Sequence, residues 1–206
     1  MIRPLLLTTS VLMLAACGAP DAEPGPAAPP AVPAQPATPA IPATPATTEA
    51  VTAQGWGPLR IGMTRAEVVT ALGADSSPGT VGGPDPASCE IFRPARAPQG
   101  LQVMIEDGVL TSLWLDRGAS LKTDRGFGVG DQAAAIKMAY GKAATVSPHK
   151  YSPAPAEYIT AWSRGGAAGY VQDPAARGIS YHIGTDGRVE QVAAGGPSIQ
   201  YVEGCA

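Results

Sequence analysis

The stretch LRIGMTRAEVVTALG, residues 59–73, contains the strongest local folding signals in the chain. Thr64 and Glu67 have the spacing of a capping box, in which the threonine oxygen and the glutamate carboxylate bind free amides at a helix start. Gly73 is typical of a helix end. The apolar side chains on one face of the intervening helix are Val68, Ala71 and Leu72. The pattern predicts an entry turn, a short helix and a glycine stop.

A second stretch, FGVGDQAAAIKMAYG at residues 127–141, aligns with the first one without gaps. Asp131 is placed to cap the second helix, and Gly141 to end it. The apolar residues on one face of this helix are Ile136, Ala139 and Tyr140. The alignment predicts two repeats, at about residues 55–118 and 122–206.

Strand-like segments follow each helix. The pairs Asp107-Gly108 and Asp186-Gly187 are strong signals for tight hairpins. The predicted strands are 89–93, 101–106 and 109–116 in the first repeat, and 158–163, 179–183 and 188–193 in the second. Residues 198–202 are expected to be extended, and residues 164–177 are not assigned. We therefore expect an α+β fold: two tandem repeats of a short helix plus antiparallel strands, with the helices packed on one face of the sheet.

The first stretch and its hairpin resemble the repeat of the β-lactamase inhibitory protein. They are also similar to the small lipoprotein subunit of the outer-membrane barrel-assembly machine. The resemblance covers about residues 55–195, and it implies short helical segments on an antiparallel sheet. The second copy departs from the pattern, because Asp131-Gln132 replaces Met63-Thr64. No binding residue of the family can be matched one to one, so the resemblance implies a fold and no specific function.

The first 16 residues have the composition of an export signal. Arg3 precedes an apolar stretch of about ten residues, which is too short to span a bilayer. The stretch ends in Leu14-Ala15-Ala16-Cys17, which resembles the bacterial lipobox. By that resemblance Cys17 is lipidated and becomes the first residue of the mature chain. The alternative is an ordinary secretory signal with a chance cysteine.

Residues 17–54 predict a tether to a membrane. Ten prolines alternate with alanine and threonine after Cys17, a composition that favours an extended and semi-rigid chain. At about 3.1 Å per residue the linker reaches on the order of 80–100 Å. By analogy with lipoprotein sorting, Gly18 after the cysteine favours a lipid-anchored place in the outer membrane, facing the periplasm. A docking role for the repeated Pro-Ala-Thr-Pro is the alternative to a spacer.

The remaining domain, residues 55–206, has little net charge. Setting aside Arg3, Asp21, Glu23 and Glu49 turns 14 basic and 17 acidic residues into 13 and 14. A balance of this kind argues against a nucleic-acid partner. Cys89 and Cys205 are the two cysteines left after lipidation, and an exported pair usually forms a disulfide. We expect a structural bridge between them.

Catalytic motifs are missing from the sequence. It has no Gly-x-Ser-x-Gly elbow and no His-Glu-x-x-His pair. A metal site would require the two histidines, His149 and His182, to meet carboxylates, and a hydrolase would require one of them to meet an acid in a cleft. We expect neither a catalytic site, nor a metal, nor a cofactor.

Aromatic residues are the candidate binding groups. Alternation along a strand places Tyr158 and Trp162 on the same side, and Trp114 lies on another strand. His149 and Tyr151 lie in the loop just upstream. If one sheet face is free, these rings suit a protein partner or the rings of a sugar; the alternative is that they are core. We expect a periplasmic protein-binding adaptor or inhibitor-like module, with a glycan- or peptidoglycan-binding module as the alternative.

Overall fold

A computed structural model describes residues 48–79, 85–165 and 169–205. The regular elements of these residues are, in chain order, β1 (Thr48–Thr52), β2 (Gly55–Gly57), β3 (Leu59–Arg60), α1 (Arg65–Leu72), β4 (Cys89–Phe92), β5 (Leu101–Glu106), β6 (Val109–Leu115), α2 (Ala133–Tyr140), β7 (Ala144–Pro148), β8 (Glu157–Arg164), β9 (Arg177–Ile183) and β10 (Val189–Gly195). Short 3₁₀ helices lie at Gly141–Ala143 and Pro197–Gln200. The predicted signal peptide, Cys17 and the linker up to residue 47 lie outside the described residues.

Two antiparallel sheets contain all of these strands. The larger one has seven strands in the order β4-β5-β6-β10-β9-β8-β7, and the smaller one has the order β1-β2-β3. The two halves of the large sheet meet where β10 pairs with β6, with Ala193 opposite Trp114. Strands β6 and β10 are far apart in the chain, so no local pattern in the sequence predicts that they pair.

The expected α+β class, with helices as a layer on two tandem repeats, is wrong. The described chain is mostly β, because ten strands form the two sheets and the two α-helices have eight residues each. Three strands follow α1 and four follow α2, so the two halves are not equivalent. Helix signals are local and easy to see, whereas strands such as β1–β3 and β7 lack a clear alternation. The sequence therefore overstates the helices.

The local predictions around the helices have mixed outcomes. Thr64 and Glu67 form the predicted capping box, and both Gly73 and Gly141 end their helices with positive φ, 91° and 52°. Asp131 does not cap α2. Its carboxylate instead accepts hydrogen bonds from the Gly128 amide and the Lys122 ammonium, both at 2.7 Å.

The predicted hairpin strands lie within one or two residues of β4, β5, β6, β8, β9 and β10. Asp107 and Gly108 both have positive φ, 49° and 77°, as a tight turn of the primed type requires. Three expectations need correction. The folded part already includes residues 48–54, since β1 starts at Thr48. Strand β7 occupies part of the loop that was predicted upstream of β8. The segment 198–202, predicted to be extended, begins as a 3₁₀ helix.

The main core lies on one face of the large sheet, which we call the first face. Each helix places two side chains in this core, Val68 and Leu72 from α1 and Ala133 and Ile136 from α2. The sheet supplies the largest buried side chains, among them Phe92, Leu101, Leu113, Ile159, Tyr181 and Ile183. Each Å² of apolar area buried in this layer stabilises the fold by about 25 cal/mol.

Candidate functional site

The opposite side of the large sheet, the second face, is chemically different from the first. Side chains alternate along a strand, so the neighbours of the core residues point to this second face. Among them Gln102, Ser112, Ser180 and His182 are polar and buried. Most buried polar groups are hydrogen-bonded, and a face that contains several of them offers directional contacts in addition to packing.

The C-terminal tail, residues 196–205, covers one half of the second face. Its 3₁₀ helix contacts β6, β9 and β10. Ile199 is fully buried in a cluster with Met104, Trp114 and Ala193. The expected disulfide between Cys89 and Cys205 is present, with a Cα–Cα distance of 5.5 Å, and it joins the tail to β4. We call this part of the second face the covered half, and the surface over β7, β8 and β9 the open half.

Trp114 lies beneath the tail, in the covered half. It is 4% exposed, and its indole nitrogen donates a 2.8 Å hydrogen bond to the Ser112 hydroxyl. Its ring meets the imidazole of His182 edge to face, with the centroids 5.6 Å apart. A ligand can reach this tryptophan only after the tail moves away.

Four aromatic rings form a row from Trp114 to the edge of the sheet. His182 contacts the Tyr158 ring edge to face at 4.9 Å, and Tyr158 stacks on His149 at 4.7 Å. His149 is fixed in turn, because its Nδ1 accepts hydrogen bonds from the backbone amides of Tyr151 and Ser152, both 3.1 Å long. The fold thus brings three of the predicted aromatic residues together with His182, and the row connects the covered half with the open half.

His182 is held in its neutral form. Burial lowers the pKa of His182 to about 4, and the nearby His149 acts in the same direction, while a hydrogen bond to the backbone of Ile199 opposes them. Removing a charged imidazole from water is costly, so burial favours the uncharged ring. At neutral pH the His182 ring is therefore uncharged.

The open half contains a pocket of about 360 Å³, which we call the sheet pocket. Its floor consists of side chains from β8 and β9, and β7 forms one side. The tail and Tyr170 form the opposite side. The side chains that matter for recognition are Tyr158, Thr160, Trp162, Tyr170, Ser180 and Gln200. The volume falls within the usual range for a small-molecule site.

Trp162 is half-buried in this pocket, and its position depends on Gly178. The two residues are paired across β8 and β9, and the indole covers the glycine. A Cβ atom at position 178 would lie 2.7 Å from the Cε3 atom of the ring. Glycine thus lets the ring settle on the sheet, and this close approach explains a glycine inside a buried strand.

Hydroxyl and amide groups surround the rings in the pocket. The hydroxyls of Thr160 and Ser180 form a hydrogen bond of 2.9 Å across the two strands. The Gln200 side chain accepts a hydrogen bond from the Val171 amide at 2.9 Å and donates one to the Val171 carbonyl at 2.8 Å. This double contact fastens the segment next to Tyr170 to the tail, so that Gln200 fixes the tyrosine wall of the pocket.

Tyr151 lies outside the sheet pocket and is 61% exposed. Its hydroxyl donates a hydrogen bond to the Glu203 carboxylate. The Lys150 ammonium lies 4.9 Å from the Tyr151 ring centre and 3.9 Å from Glu203. Of the five predicted binding residues, Tyr158 and Trp162 line the pocket. The other three do not line it: His149 stacks on the Tyr158 ring, Trp114 lies under the tail, and Tyr151 lies on the outer surface.

Several pocket residues are absent from the sequence-based prediction. Thr160 lies between Tyr158 and Trp162 on the same side of β8, so strand alternation was a sufficient signal for it. Ser180 and His182 follow from the same rule on β9. Tyr170 and Gln200 could not be found in this way, because they lie outside the strands and reach the pocket through tertiary contacts such as that between Gln200 and Val171.

Within residues 48–79, 85–165 and 169–205, no three His, Cys, Asp or Glu side chains are grouped so as to hold a metal ion. In the same ranges, neither helix has the length and hydrophobicity of a membrane span. No protein-family model, curated protein or solved structure matches the chain. The resemblance to the inhibitory-protein repeat stays a prediction.

Proposed function

We propose that this chain is a non-catalytic binding module of the cell envelope, and that its sheet pocket takes a neutral sugar ring of a glycan. The single observation that carries the proposal is the composition of the pocket, in which aromatic rings alternate with hydroxyl and amide groups. Sugars have apolar faces that stack on aromatic rings and hydroxyl edges that need directional partners. The pocket offers both kinds of contact side by side.

The pocket also contains a polar atom that would benefit from a ligand. The Tyr158 hydroxyl oxygen is buried and has no hydrogen-bond partner among the described residues. An unpaired buried hydroxyl costs about 1–3 kcal/mol. A sugar hydroxyl that reaches this oxygen would recover part of that free energy.

A glycan suits this face better than a broad protein interface does. Protein partners bind mainly through a wide apolar patch with buried anchor residues. The tail covers Trp114 and its apolar neighbours, so the open half is reduced to a pocket whose largely apolar lining carries several hydroxyl and amide groups. The geometry therefore favours the glycan-binding alternative over the adaptor.

The predicted tether gives this binding a place. A chain lipidated at Cys17, with a proline-rich linker, would hold the domain at a distance from the outer membrane within reach of the cell-wall layer. The proposed ligand is therefore a cell-wall glycan on the periplasmic side. This location is part of the proposal.

The test is titration of the full-length chain in detergent micelles with chitotetraose, a neutral oligosaccharide of N-acetylglucosamine, and with purified cell-wall sacculi. We expect binding that falls about tenfold or more in Trp162→Ala, a loss of about 1.4 kcal/mol. Tyr170→Ala and Tyr151→Ala form a matched pair, since the two tyrosines are 64% and 61% exposed and only Tyr170 lines the pocket. Equal affinities for these two variants, or no binding of either ligand by the unmodified chain, would sink the proposal.

A protein-binding adaptor is the second candidate, and strand β7 favours it. This strand is the edge of the large sheet, four of its five residues are exposed, and Val146 is 45% exposed. An exposed edge strand can pair with a strand of a partner. Capture of full-length protein from crosslinked envelopes separates the two candidates. A partner protein recovered in stoichiometric amounts after lysozyme digestion favours the adaptor, and recovery that disappears with lysozyme favours the glycan.

A further inference from the structure

The tail has two roles at once, because it covers Trp114 and also forms a wall of the sheet pocket. Ile199 belongs to the apolar cluster of the covered half, and it lines the pocket together with Gln200. Gln200 in turn fixes the segment that includes Tyr170. Any change that releases the tail would therefore uncover Trp114 and dismantle the tyrosine wall of the pocket.

The tail is held by several noncovalent contacts and by one covalent bond. Gly196 donates a backbone hydrogen bond of 2.9 Å to Thr111, and in the part of the chain that the structure describes the other backbone hydrogen bonds of the tail are local. The noncovalent attachments also include the buried Ile199 side chain, a hydrogen bond between the Ile199 backbone and His182, and the Gln200 contact with Val171. Glu203 contacts Tyr151 and Lys150, and Tyr201 forms a side-chain hydrogen bond with Glu106. The last attachment is the disulfide at the end of the tail. The disulfide is the covalent attachment, and it keeps the tail end close to β4.

The two cysteines differ in exposure. Cys89 is partly exposed at the start of β4, whereas Cys205 is 7% exposed. A thiolate from solution therefore reaches the Cys89 sulfur more easily. Thiol–disulfide exchange at that sulfur makes Cys205 the leaving group. Attack at the accessible end of the bond thus breaks the covalent attachment of the tail directly.

We propose that the Cys89–Cys205 disulfide is a redox-sensitive latch, and that its reduction releases the tail, exposes Trp114 and abolishes ligand binding in the sheet pocket. The binding part of this inference rests on the proposed function, whereas the release of the tail does not. The latch makes the pocket competent only in an oxidising compartment, which is where a tethered envelope protein would work.

The chemistry of the latch is balanced when the reductant is a dithiol. The first thiolate of the dithiol bonds to the Cys89 sulfur, the bond between the two cysteines breaks, and Cys205 leaves as a thiolate that takes up a proton. The second thiol then attacks its own partner sulfur, which forms the disulfide of the reductant and returns Cys89 as a thiol. Two electrons pass from the dithiol to the protein.

The experiment compares oxidised full-length protein with protein reduced by dithiothreitol, alkylated and freed of excess reagent. Tryptophan oxidation, read by peptide mass spectrometry, measures the exposure of each indole. We expect Trp114 to be protected in the oxidised form and to react as readily as Trp162 in the reduced form. The partly buried Trp56 on β2, which belongs to the other sheet, is the internal reference. Affinity for chitotetraose is expected to fall about tenfold or more on reduction, since one wall of the pocket is lost.

A second set of measurements distinguishes release of the tail from unfolding of the sheet and from failure of the proposed function. The double variant Cys89→Ser/Cys205→Ser is expected to behave like the reduced form without any reductant, and amide hydrogen exchange of β8 and β9 is expected to stay slow. Trp114 that remains protected after reduction overturns the latch, and so does glycan binding that survives the release of the tail. Loss of protection throughout the large sheet also overturns it, because the bridge would then hold the whole fold. If the oxidised protein binds no glycan, the proposed function fails, while Trp114 oxidation still decides whether the tail is released.

Discussion

The covered half and the open half of the second face have similar side chains and different environments. Each contains a tryptophan on a central strand, Trp114 on β6 and Trp162 on β8, and each contains small hydroxyl residues beside it. Trp114 is 4% exposed under the tail, whereas Trp162 is half-buried in the sheet pocket. The tail therefore determines which tryptophan is core and which one can contact a ligand.

Strand alternation determines which face of the sheet a residue lies on, but it does not determine whether the residue is core or can contact a ligand. Ala193 on β10 has Trp114 on one side and Ser180 on the other, so the two halves are adjacent in the same sheet. A short segment that packs across such a sheet divides it into core and site. The following changes test that division, and the expected effects decrease from one to the next.

Trp114→Ala is expected to have the largest effect on stability. It should lower the free energy of unfolding by about 3–5 kcal/mol, because it leaves a cavity in a closed cluster. Trp162→Ala should cost about 1–2 kcal/mol, since its ring is already partly in water. Urea unfolding of both variants measures the difference.

Substitutions of the two tryptophans should affect ligand binding in the opposite order. Trp162→Ala should lose affinity for chitotetraose, and Trp114→Phe, which keeps an aromatic ring in the cluster, should keep most of it. Equal losses of stability from the two alanine variants would mean that the covered and open halves are not distinct.

His182 is expected to make the fold sensitive to acid. Its pKa is about 4 in the folded protein and 6.5 in the reference state, so between these values the unfolded chain binds more protons. The contribution of neutral His182 to the free energy of unfolding is fully present above about pH 6.5. It is lost as the pH drops toward 4, by about 3 kcal/mol in total. Urea unfolding at about pH 7 and about pH 5 measures the loss.

His182→Gln is the control for this acid sensitivity. The variant lacks the titrating ring, so its stability should change little between about pH 7 and pH 5. The pKa values of Glu67 and Asp131 are lowered from 4.5 and 3.8, so these carboxylates become protonated, and affect stability, only at lower pH. Parallel pH profiles for the variant and the unmodified chain would contradict the assignment of this window to His182.

Gly178→Ala should affect stability about as little as Trp162→Ala does, and it should have a clear effect on the pocket. The new methyl group would lie 2.7 Å from Cε3 of Trp162 and 2.8 Å from the Ala161 carbonyl oxygen. We expect a cost of about 1–2 kcal/mol and a displaced indole, with weaker binding of chitotetraose. In a double-mutant cycle with Trp162→Ala the two costs should not add, because the ring clash is then absent. Strict additivity would show that the indole does not cover the glycine.

Local chemistry made part of the fold predictable. The capping box at Thr64, the glycine stops and the turn at Asp107-Gly108 depend on neighbouring residues, and each is present as predicted. The strands that form hairpins were found because alternation and turn residues mark them. The overall class was wrong, since β1–β3 and β7 are short and have weak patterns, and since the pairing of β6 with β10 joins distant parts of the chain.

The candidate site was predictable in part, for the same reason. Tyr158 and Trp162 lie four residues apart on the same side of a strand, with Thr160 between them, and this alternation marks one face. Tyr170 follows the stretch 164–169, which has no recognisable pattern, and it depends on Gln200 for its place. The division between Trp114 and Trp162 could not be found either, because it is made by a tail that lies far from both residues in the chain.

The sequence by itself determined the local elements and the pairing of Cys89 with Cys205, since caps, turns and a lone pair of exported cysteines act through short-range geometry or simple count. The tertiary structure alone decided that the two halves join in one sheet, that the tail covers Trp114, and that Gly178 receives the indole of Trp162. These features are contacts between segments distant in the chain. The free energies of these contacts depend on shape complementarity and burial, which cannot be predicted from a local pattern of residues.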